Sequence, residues 1–248
     1  MIKKLGLLGK NISYSFSRAY FKEKFEKENI SGVSYDNFDL ESIDVFPSLI
    51  KTTEGLQGMN VTIPYKEVVM PFLDEIHEQA AEIGAVNTIK LTENGKLIGF
   101  NTDCYGFKES LKPFIKPNHK KALILGTGGA SKAVAYTLRE LGIEFQYVSR
   151  RMKEGIGYTY DSLTKKIIEE HTIIINCTPL GTFPNIEDCP DIPYDGITEN
   201  HILFDLIYNP QETKFLNYGK QKQATLINGL LMLELQAEKA WSIWNIND

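Results

Sequence analysis

Residues 120–134, KKALILGTGGASKAV, constrain the possible folds of this chain more than any other stretch. Positions 122–125 are all apolar and suit a buried parallel strand, and apolar residues recur at helical spacing over 130–141. Gly126 permits a tight turn between the two elements, and Gly128 lacks a side chain that would keep a phosphate away from the backbone. Because the free N–H groups of a helix N-terminus attract anions, the stretch predicts a dinucleotide site.

The same stretch departs from the full glycine pattern at one position. The third glycine of G-x-G-x-x-G is replaced by Ser131, and an ordinary strand-to-helix turn would share the remaining features. About twenty residues after the glycine turn, where NAD enzymes carry an acid for the ribose, a second predicted strand ends in Ser149, Arg150 and Arg151. Arginine offers a planar charged fork to phosphate oxygens, so the pattern favours NADP. Two arginines exposed on the surface are the alternative.

The composition restricts the classes of partner. The 248 residues carry a net charge of −5, which argues against general binding to nucleic acid or to anionic membranes. No apolar run is long enough for a membrane span. Three widely spaced cysteines favour reduced thiols, so we expect a cytoplasmic protein. The four histidines lack the spacing of metal ligands, and we expect no metal site.

The N-terminal part of the chain predicts strands that alternate with helices before an antiparallel pair. A weak helix at 41–51 is interrupted by Pro47, and a longer helical pattern extends from Val69 to Gly84. Asn94-Gly95 is a strong hairpin signal. The predicted strands lie at 2–8, 33–40, 56–61, 86–91 and 96–100.

The complete pattern predicts an α/β protein of two domains. Pro113 and Pro117 end the helix that follows Asp103 and separate the two halves of the chain. We predict an N-terminal α/β substrate domain with a mixed sheet over residues 1–103, and a Rossmann-like NADP-binding domain over residues 104–229. The last helix, within residues 230–248, is predicted to pack back on the first domain. A further short helix is predicted at 161–170.

Short polar side chains follow the predicted strands of the first domain. In an open α/β sheet the ligand lies outside the carboxyl ends of the strands. Hydroxyl and amide groups both donate and accept, as a polyhydroxylated ring requires, whereas a phosphorylated substrate would need more basic residues. Taken singly, each could simply form a turn, and Ser17 could be a helix N-cap. These strand-end segments are 60–62, 87–88 and 101–103, joined by Ser15 and Ser17 after the first strand.

One cation and one acid stand among these polar groups, Lys66 and Asp103. A lysine can give a proton to a carbonyl oxygen while hydride arrives at the carbon, or take it back in the oxidation. Asp103 could hold that lysine in place and also accept a hydrogen bond from a substrate hydroxyl. The alternative for Lys66 is a solvated lysine at the start of a helix, a position that the helix dipole disfavours.

Eight motifs follow one another along the chain: Gly9 to Ser17, Asn60 to Lys66 (NVTIPYK), Gly84 to Thr88 (GAVNT), Asn101 to Asp103 (NTD), Gly126 to Ala130 (GTGGA), Asn176 to Gly181 (NCTPLG), Asp205 to Tyr208 (DLIY) and Gly229 to Gln236 (GLLMLELQ). In this order they resemble the motifs of the shikimate dehydrogenase family, and the resemblance covers nearly the whole length.

The resemblance implies NADPH-dependent reduction of 3-dehydroshikimate to shikimate, in the biosynthesis of chorismate and the aromatic amino acids. It implies that Lys66 is catalytic, with Asp103 beside it. By the same match the substrate would contact Ser15, Ser17, Thr62, Asn87, Asp103, Tyr208 and Gln236. The cofactor would contact Gly126, Thr127, Gly128, Gly129, Ala130, Ser149, Arg150, Arg151, Thr178, Leu206, Gly229 and Glu78.

Two alternatives remain open at this point. One is a quinate/shikimate paralogue that uses NAD or either cofactor, since Ser149-Arg-Arg replaces the Asn-Arg-Thr/Ser common in the family. The other is a catalytically idle NADP-binding regulator, against which Lys66 and Asp103 argue. We expect a small-molecule substrate, no nucleic-acid or membrane partner, and a monomer or homodimer.

Overall fold

The chain divides into two compact units. The computed structural model describes residues 2–13 and 15–246. One unit comprises the chain up to Thr102 together with the segment from Gln236 onward, and the other extends from Asp103 to Leu235. The sequence-based division placed Asp103 and residues 230–235 with the first unit instead. Residues 247 and 248, predicted as the end of the last helix, lie outside the described residues.

The sheet of the first unit is mixed, as predicted, and has six strands in the order β2-β1-β3-β5-β6-β4. β1 pairs in parallel with both β2 and β3. β5 is antiparallel to β3 and to β6, which confirms the predicted hairpin, whereas β4 adds an unpredicted parallel edge strand beside β6. The strands are β1 (Lys3–Gly9), β2 (Val33–Asp39), β3 (Leu56–Val61), β4 (Glu75–Ile76), β5 (Thr88–Leu91) and β6 (Leu97–Phe100).

Three helices of this unit come before β5 in the chain: α1 (Phe16–Lys27), α2 (Phe46–Thr52) and α3 (Glu78–Ile83). The helix predicted from Val69 to Gly84 is wrong. A 3-10 turn at Met70–Phe72 and then β4 come first, and only the last part of the pattern is α3. Pro71 lies in that turn and lacks the N–H that a continuing helix would need. Pro47 lies in the first turn of α2, where its fixed φ is tolerated, and does not interrupt it.

The second unit contains a six-stranded parallel sheet in the order β12-β11-β10-β7-β8-β9, which confirms the Rossmann-like prediction. The strands are β7 (Lys121–Leu125), β8 (Glu144–Ser149), β9 (Tyr158–Thr159), β10 (Ile173–Asn176), β11 (Ile202–Asp205) and β12 (Thr225–Ile227). The helices are α4 (Asp103–Leu111), α5 (Gly129–Glu140), α6 (Lys165–Glu170), α7 (Lys214–Gln221) and α8 (Leu230–Trp244).

Apolar side chains cover both faces of the parallel sheet. Ile124 packs in one cluster with Phe107 and Phe204, while Leu123 and Leu125 pack in another on the opposite face. This is why β7 has an unbroken apolar run and does not alternate. The helix predicted at 161–170 begins only at Lys165, because a 3-10 turn, Tyr160–Ser162, comes first.

The last helix packs on the sheet of the first unit, as predicted. Ala237, Ala240 and Trp244 of α8 join Phe21 and Tyr35 in one buried cluster. The indole Nε1 of Trp244 donates to the carbonyl oxygen of Ile89 at 2.9 Å. Gly58 of β3 leaves the space that the indole occupies. None of the helices in the described ranges has the length and apolarity that a bilayer crossing requires.

Replacement of Gly58 tests this packing. Gly58→Ala places a methyl group against the indole of Trp244 and the carbonyl of Ile89, which are both held in place by their own bond. We expect unfolding free energy to fall by about 1–3 kcal/mol, the usual cost of an overpacked core. Thermal denaturation followed by tryptophan fluorescence measures it, and an unchanged midpoint would contradict the packing of α8 on β3.

Candidate active site

Polar side chains of the first unit meet at one end of its sheet. Because β5 is antiparallel to its neighbours, its first residue, Thr88, lies opposite Asn60 of β3 and Phe100 of β6. The segment before Thr88 and the segment after Phe100 therefore emerge side by side, and the Asn87 N–H donates to the Phe100 carbonyl at 3.0 Å. Three strand-end segments that are distant in sequence are thus neighbours.

A buried hydrogen-bond network joins these side chains. The Asn87 Oδ1 accepts bonds from the Thr102 N–H at 2.7 Å and from the Thr88 hydroxyl at 3.1 Å. The Asn60 Nδ2 donates to the Thr88 hydroxyl at 3.2 Å. The Asn87 Nδ2 donates to the Gln236 Oε1 at 3.4 Å. Because buried amides are costly without partners, these bonds determine how Asn87 and Gln236 are oriented.

The helix α1, which follows the serine segment after β1, has a different N-cap residue from the one considered in the sequence. Ser15, not Ser17, is the N-cap of α1, and its hydroxyl accepts from the Arg18 N–H at 3.3 Å. Ser17 is already inside the first helical turn, because the helix begins at Phe16. Thr62 lies beside this segment: its N–H donates to the Leu8 carbonyl at 2.8 Å.

Lys66 lies in a turn after β3 and not at a helix start, so the helix dipole has no bearing on it. Its backbone is held on both sides. The Lys66 carbonyl accepts from the Val86 N–H at 2.7 Å, and the preceding Tyr65 is buried, with its hydroxyl donating to the Leu40 carbonyl. The Lys66 side chain is half-buried. Glu78, a predicted cofactor contact, is exposed at the first position of α3.

The glycine turn of the second unit connects β7 with α5. Gly126 has φ +99°, a conformation that favours glycine, and a Cβ there would lie 3.0 Å from the methyl group of Thr178. The space that a Cβ of Gly128 would fill is open. Gly128 is the N-cap of α5, and no side chain caps that helix. The loop with Thr127, Gly129 and Ala130 therefore offers uncapped N–H groups beside open space, which fits the pyrophosphate of a dinucleotide.

Thr178 is held by a buried polar group at the end of β10. Its N–H and hydroxyl donate to the Asn176 Oδ1 at 3.0 and 2.7 Å. The Asn176 Nδ2 donates in turn to the Asp205 Oδ1 at 3.0 Å. The Asp205 carboxylate also accepts from the Thr213 hydroxyl at 2.6 Å and from the Ile207 N–H at 3.1 Å. Burial raises the pKa of Asp205 to about 6, against the effect of these three donors.

The sequence did not single out Asn176 and Asp205 as individual positions. A signal was available, because each is a polar residue that ends an apolar strand, and in such sheets the carboxyl ends of neighbouring strands meet. Their two strands are neighbours and pair Asn176 with Asp205 directly.

The other predicted residues of this unit fall into two groups. Leu206 and Gly229 lie together, since a Cβ at Gly229 would collide with the Leu206 carbonyl, and the Gly229 N–H donates to the Ile207 carbonyl at 3.0 Å. Ser149 ends β8 next to the glycine turn, where the Gly126 N–H donates to the Val148 carbonyl at 2.9 Å. Arg150 and Arg151 are both exposed. Tyr208 is half-buried, and burial raises its pKa. Asp103 is buried at the start of α4.

Comparison with known proteins identifies the family. Residues 7–89 match the model of the shikimate dehydrogenase substrate binding domain. A shikimate dehydrogenase (NADP(+)) from Clostridium botulinum is 36% identical over 98% of this chain and 96% of its own length. One from Clostridium beijerinckii is 41% identical over 96% of this chain and 90% of its own. The chain belongs to the shikimate dehydrogenase family.

Solved structures of the shikimate dehydrogenase family share the fold. The enzyme from Thermus thermophilus, in complex with NADP(H) and shikimate, superposes with a TM-score of 0.87 at 31% identity and covers 100% of this chain and 95% of its own. The enzyme from Listeria monocytogenes, in complex with shikimate and NAD, gives 0.84 at 26%, covering 98% and 91%. A quinate dehydrogenase from Corynebacterium glutamicum in complex with NAD gives 0.86 at 24%, covering 98% and 94%, and shares the fold.

The Asp205 network makes a testable contribution to stability. At pH 8, above its pKa, three donors point at the Asp205 carboxylate, and Asp205→Asn turns one acceptor into a donor. We expect a loss of about 1–3 kcal/mol of unfolding free energy, the cost of leaving a buried polar group unsatisfied. Denaturant unfolding at pH 8 measures it, and the exposed Asp191→Asn is the control, with an expected change below about 0.5 kcal/mol.

The same pair of proteins tests the raised pKa. The pKa of Asp205 in the folded protein lies above the ordinary 3.8. The carboxyl group therefore contributes its full stabilisation below pH 3.8, and this stabilisation is lost as the pH rises through 6. The stability difference between wild type and Asp205→Asn should therefore be larger at pH 5 than at pH 8. An equal difference at both values would show that Asp205 is ionised throughout.

Proposed function

We propose that this protein is an NADP-dependent shikimate dehydrogenase that reduces 3-dehydroshikimate to shikimate and catalyses the reverse oxidation. The observation that carries the proposal is similarity along nearly the whole chain to enzymes named shikimate dehydrogenase (NADP(+)), at 36–41% identity. The buried strand-end network of amides and hydroxyls supports it independently, since such groups suit a ring that carries several hydroxyls.

In the proposed reaction a ketone becomes a secondary alcohol, so the carbon gains a hydride and the oxygen gains a proton. Bound NADPH supplies the hydride. Lys66 donates the proton to the carbonyl oxygen and takes it back in the oxidation. The hydrogen bond to its carbonyl and the buried Tyr65 restrict where its side chain can reach. Asp103 accepts a hydrogen bond from the substrate hydroxyl beside the reacting carbon and orients Lys66.

Around this centre, the remaining predicted residues bind and orient the substrate. Ser15 and Ser17 bind the carboxylate, and the ring hydroxyls contact Thr62, Asn87, Tyr208 and Gln236. The amides of Asn87 and Gln236 are held in one orientation by their bond to each other and by the bond from the Thr102 N–H to the Asn87 Oδ1. Preorganisation of this kind lowers the cost of binding.

The cofactor assignment follows from the second unit. The uncapped N-terminus of α5 and the open space at Gly128 suit the pyrophosphate. Ser149, Arg150 and Arg151 bind the 2′-phosphate, which two exposed guanidiniums at the end of β8 can reach without rearrangement of the core. Thr178, Leu206 and Gly229 contact the rest of the cofactor, with Glu78 near the nicotinamide. A cytoplasmic location and a monomeric or homodimeric state are expected of such an enzyme.

A kinetic matrix of two substrates and two cofactors tests the function. We expect the highest kcat/KM for shikimate with NADP. Faster turnover of quinate with NAD would overturn the proposal in favour of the paralogue, and tight NADP binding without turnover of either substrate would favour the regulator. In the same matrix Arg150→Ala should lower kcat/KM with NADP by about tenfold and leave NAD unaffected, because a charge-assisted bond to phosphate is lost.

Removal of the Lys66 amine tests the chemistry. Lys66→Ala should lower kcat by about 10²–10⁴-fold, the range of a positioned acid or base, while the dissociation constant for NADPH stays within about twofold. Stopped-flow oxidation kinetics and nucleotide fluorescence measure the two quantities. Lys51→Ala, an exposed lysine at the end of α2 in the same unit, is the control and should behave as wild type. Unchanged turnover in Lys66→Ala would remove the lysine from the mechanism.

A further inference from the structure

Tyr35 is a buried tyrosine that no motif of the family resemblance includes. It lies in β2, opposite Leu5 of β1, and is 7% exposed. Its ring stacks on Phe21 of α1 with centroids 4.5 Å apart. The ring is thus fixed by packing, and the position of the hydroxyl is fixed with it.

The Tyr35 hydroxyl is hydrogen-bonded to a buried amide: it donates to the Asn60 Oδ1 at 2.8 Å. A phenol has one proton to donate, and this bond uses it. Burial raises the pKa of Tyr35, so the hydroxyl remains protonated across the range in which enzymes work.

The bond from Tyr35 determines which way the Asn60 amide faces. With Oδ1 held by the phenol, the Asn60 Nδ2 points the other way and donates to the Thr88 hydroxyl at 3.2 Å. Thr88 then donates to the Asn87 Oδ1, and Asn87 bonds Gln236. A continuous series of bonds therefore extends from Tyr35 to Gln236, and Tyr35 is its first donor.

We propose that Tyr35 is a positioning residue for the substrate: through the Asn60 amide, its hydroxyl fixes the orientation of Asn87 and Gln236. This inference rests on the proposed function, in which Asn87 and Gln236 contact the substrate. Tyr35 is itself buried and acts through them.

Tyr35→Phe removes the hydroxyl and keeps the ring that stacks on Phe21. We expect the KM for shikimate to rise about tenfold, the effect of one lost hydrogen bond between buried groups, with a smaller change in kcat. The KM for NADP should stay within about twofold. Tyr20→Phe is the matched control, because it removes a phenol hydroxyl that donates to Glu238 in the same unit, outside the network. It should have wild-type constants.

A double variant separates positioning from a general loss of structure. If Tyr35 acts through Asn60, Tyr35→Phe should raise the shikimate KM less in an Asn60→Ala background than in wild type. Asn60→Ala breaks the same bond from the acceptor side and should repeat the split between the two KM values, which provides a second route should Tyr35→Phe not fold.

The possible failures are distinguishable. A wild-type protein that does not turn over shikimate would overturn the proposed function itself. An active wild type with an unchanged shikimate KM in folded Tyr35→Phe would overturn the role of Tyr35 alone. Equal rises in the KM for shikimate and for NADP, or fully additive effects with Asn60→Ala, would show a structural role and would equally overturn the inference.

Discussion

The candidate site depends on the requirement that polar groups buried at the end of a sheet find hydrogen-bond partners. In the first unit Thr88 and Thr102 have no exposed surface, and Asn60 and Asn87 have almost none. Such groups would destabilise the fold if left unpaired, yet each is bonded to another member of the same network. The hydrogen bonds that stabilise the fold are therefore also the ones that orient the amides proposed to contact a substrate.

In the second unit, too, buried polar groups at strand ends are paired with each other. Asn176 and Asp205 end adjacent parallel strands and bond each other, and they orient the loop that carries Thr178 and the turn that carries Leu206. Thr213 joins the carboxylate to the start of α7, where its hydroxyl also accepts from the Leu216 N–H. One buried carboxylate thus organises the two loops that follow the neighbouring strands β10 and β11, together with the start of α7.

Errors in the sequence-based description have local physical causes. The helix expected from Val69 onward does not form, because apolar residues at this spacing are compatible both with a helix and with a turn that packs on a core. Pro71 favours the turn. The cap of α1 is Ser15, since either serine could accept the first free N–H and only the backbone path at Phe16 decides between them. Very short strands such as β4 and β9 have no periodicity to detect.

The class of fold, the parallel sheet with its glycine turn, the hairpin at Asn94-Gly95 and the family follow from the amino-acid sequence, because they depend on local geometry and on motifs contiguous in the chain. Three pairings became apparent only from the folded chain: Asn87 with Gln236, Asn176 with Asp205, and Tyr35 with Asn60. Each pair comes from segments far apart in sequence. Strand register and helix packing bring them within bonding distance, and no local propensity encodes either.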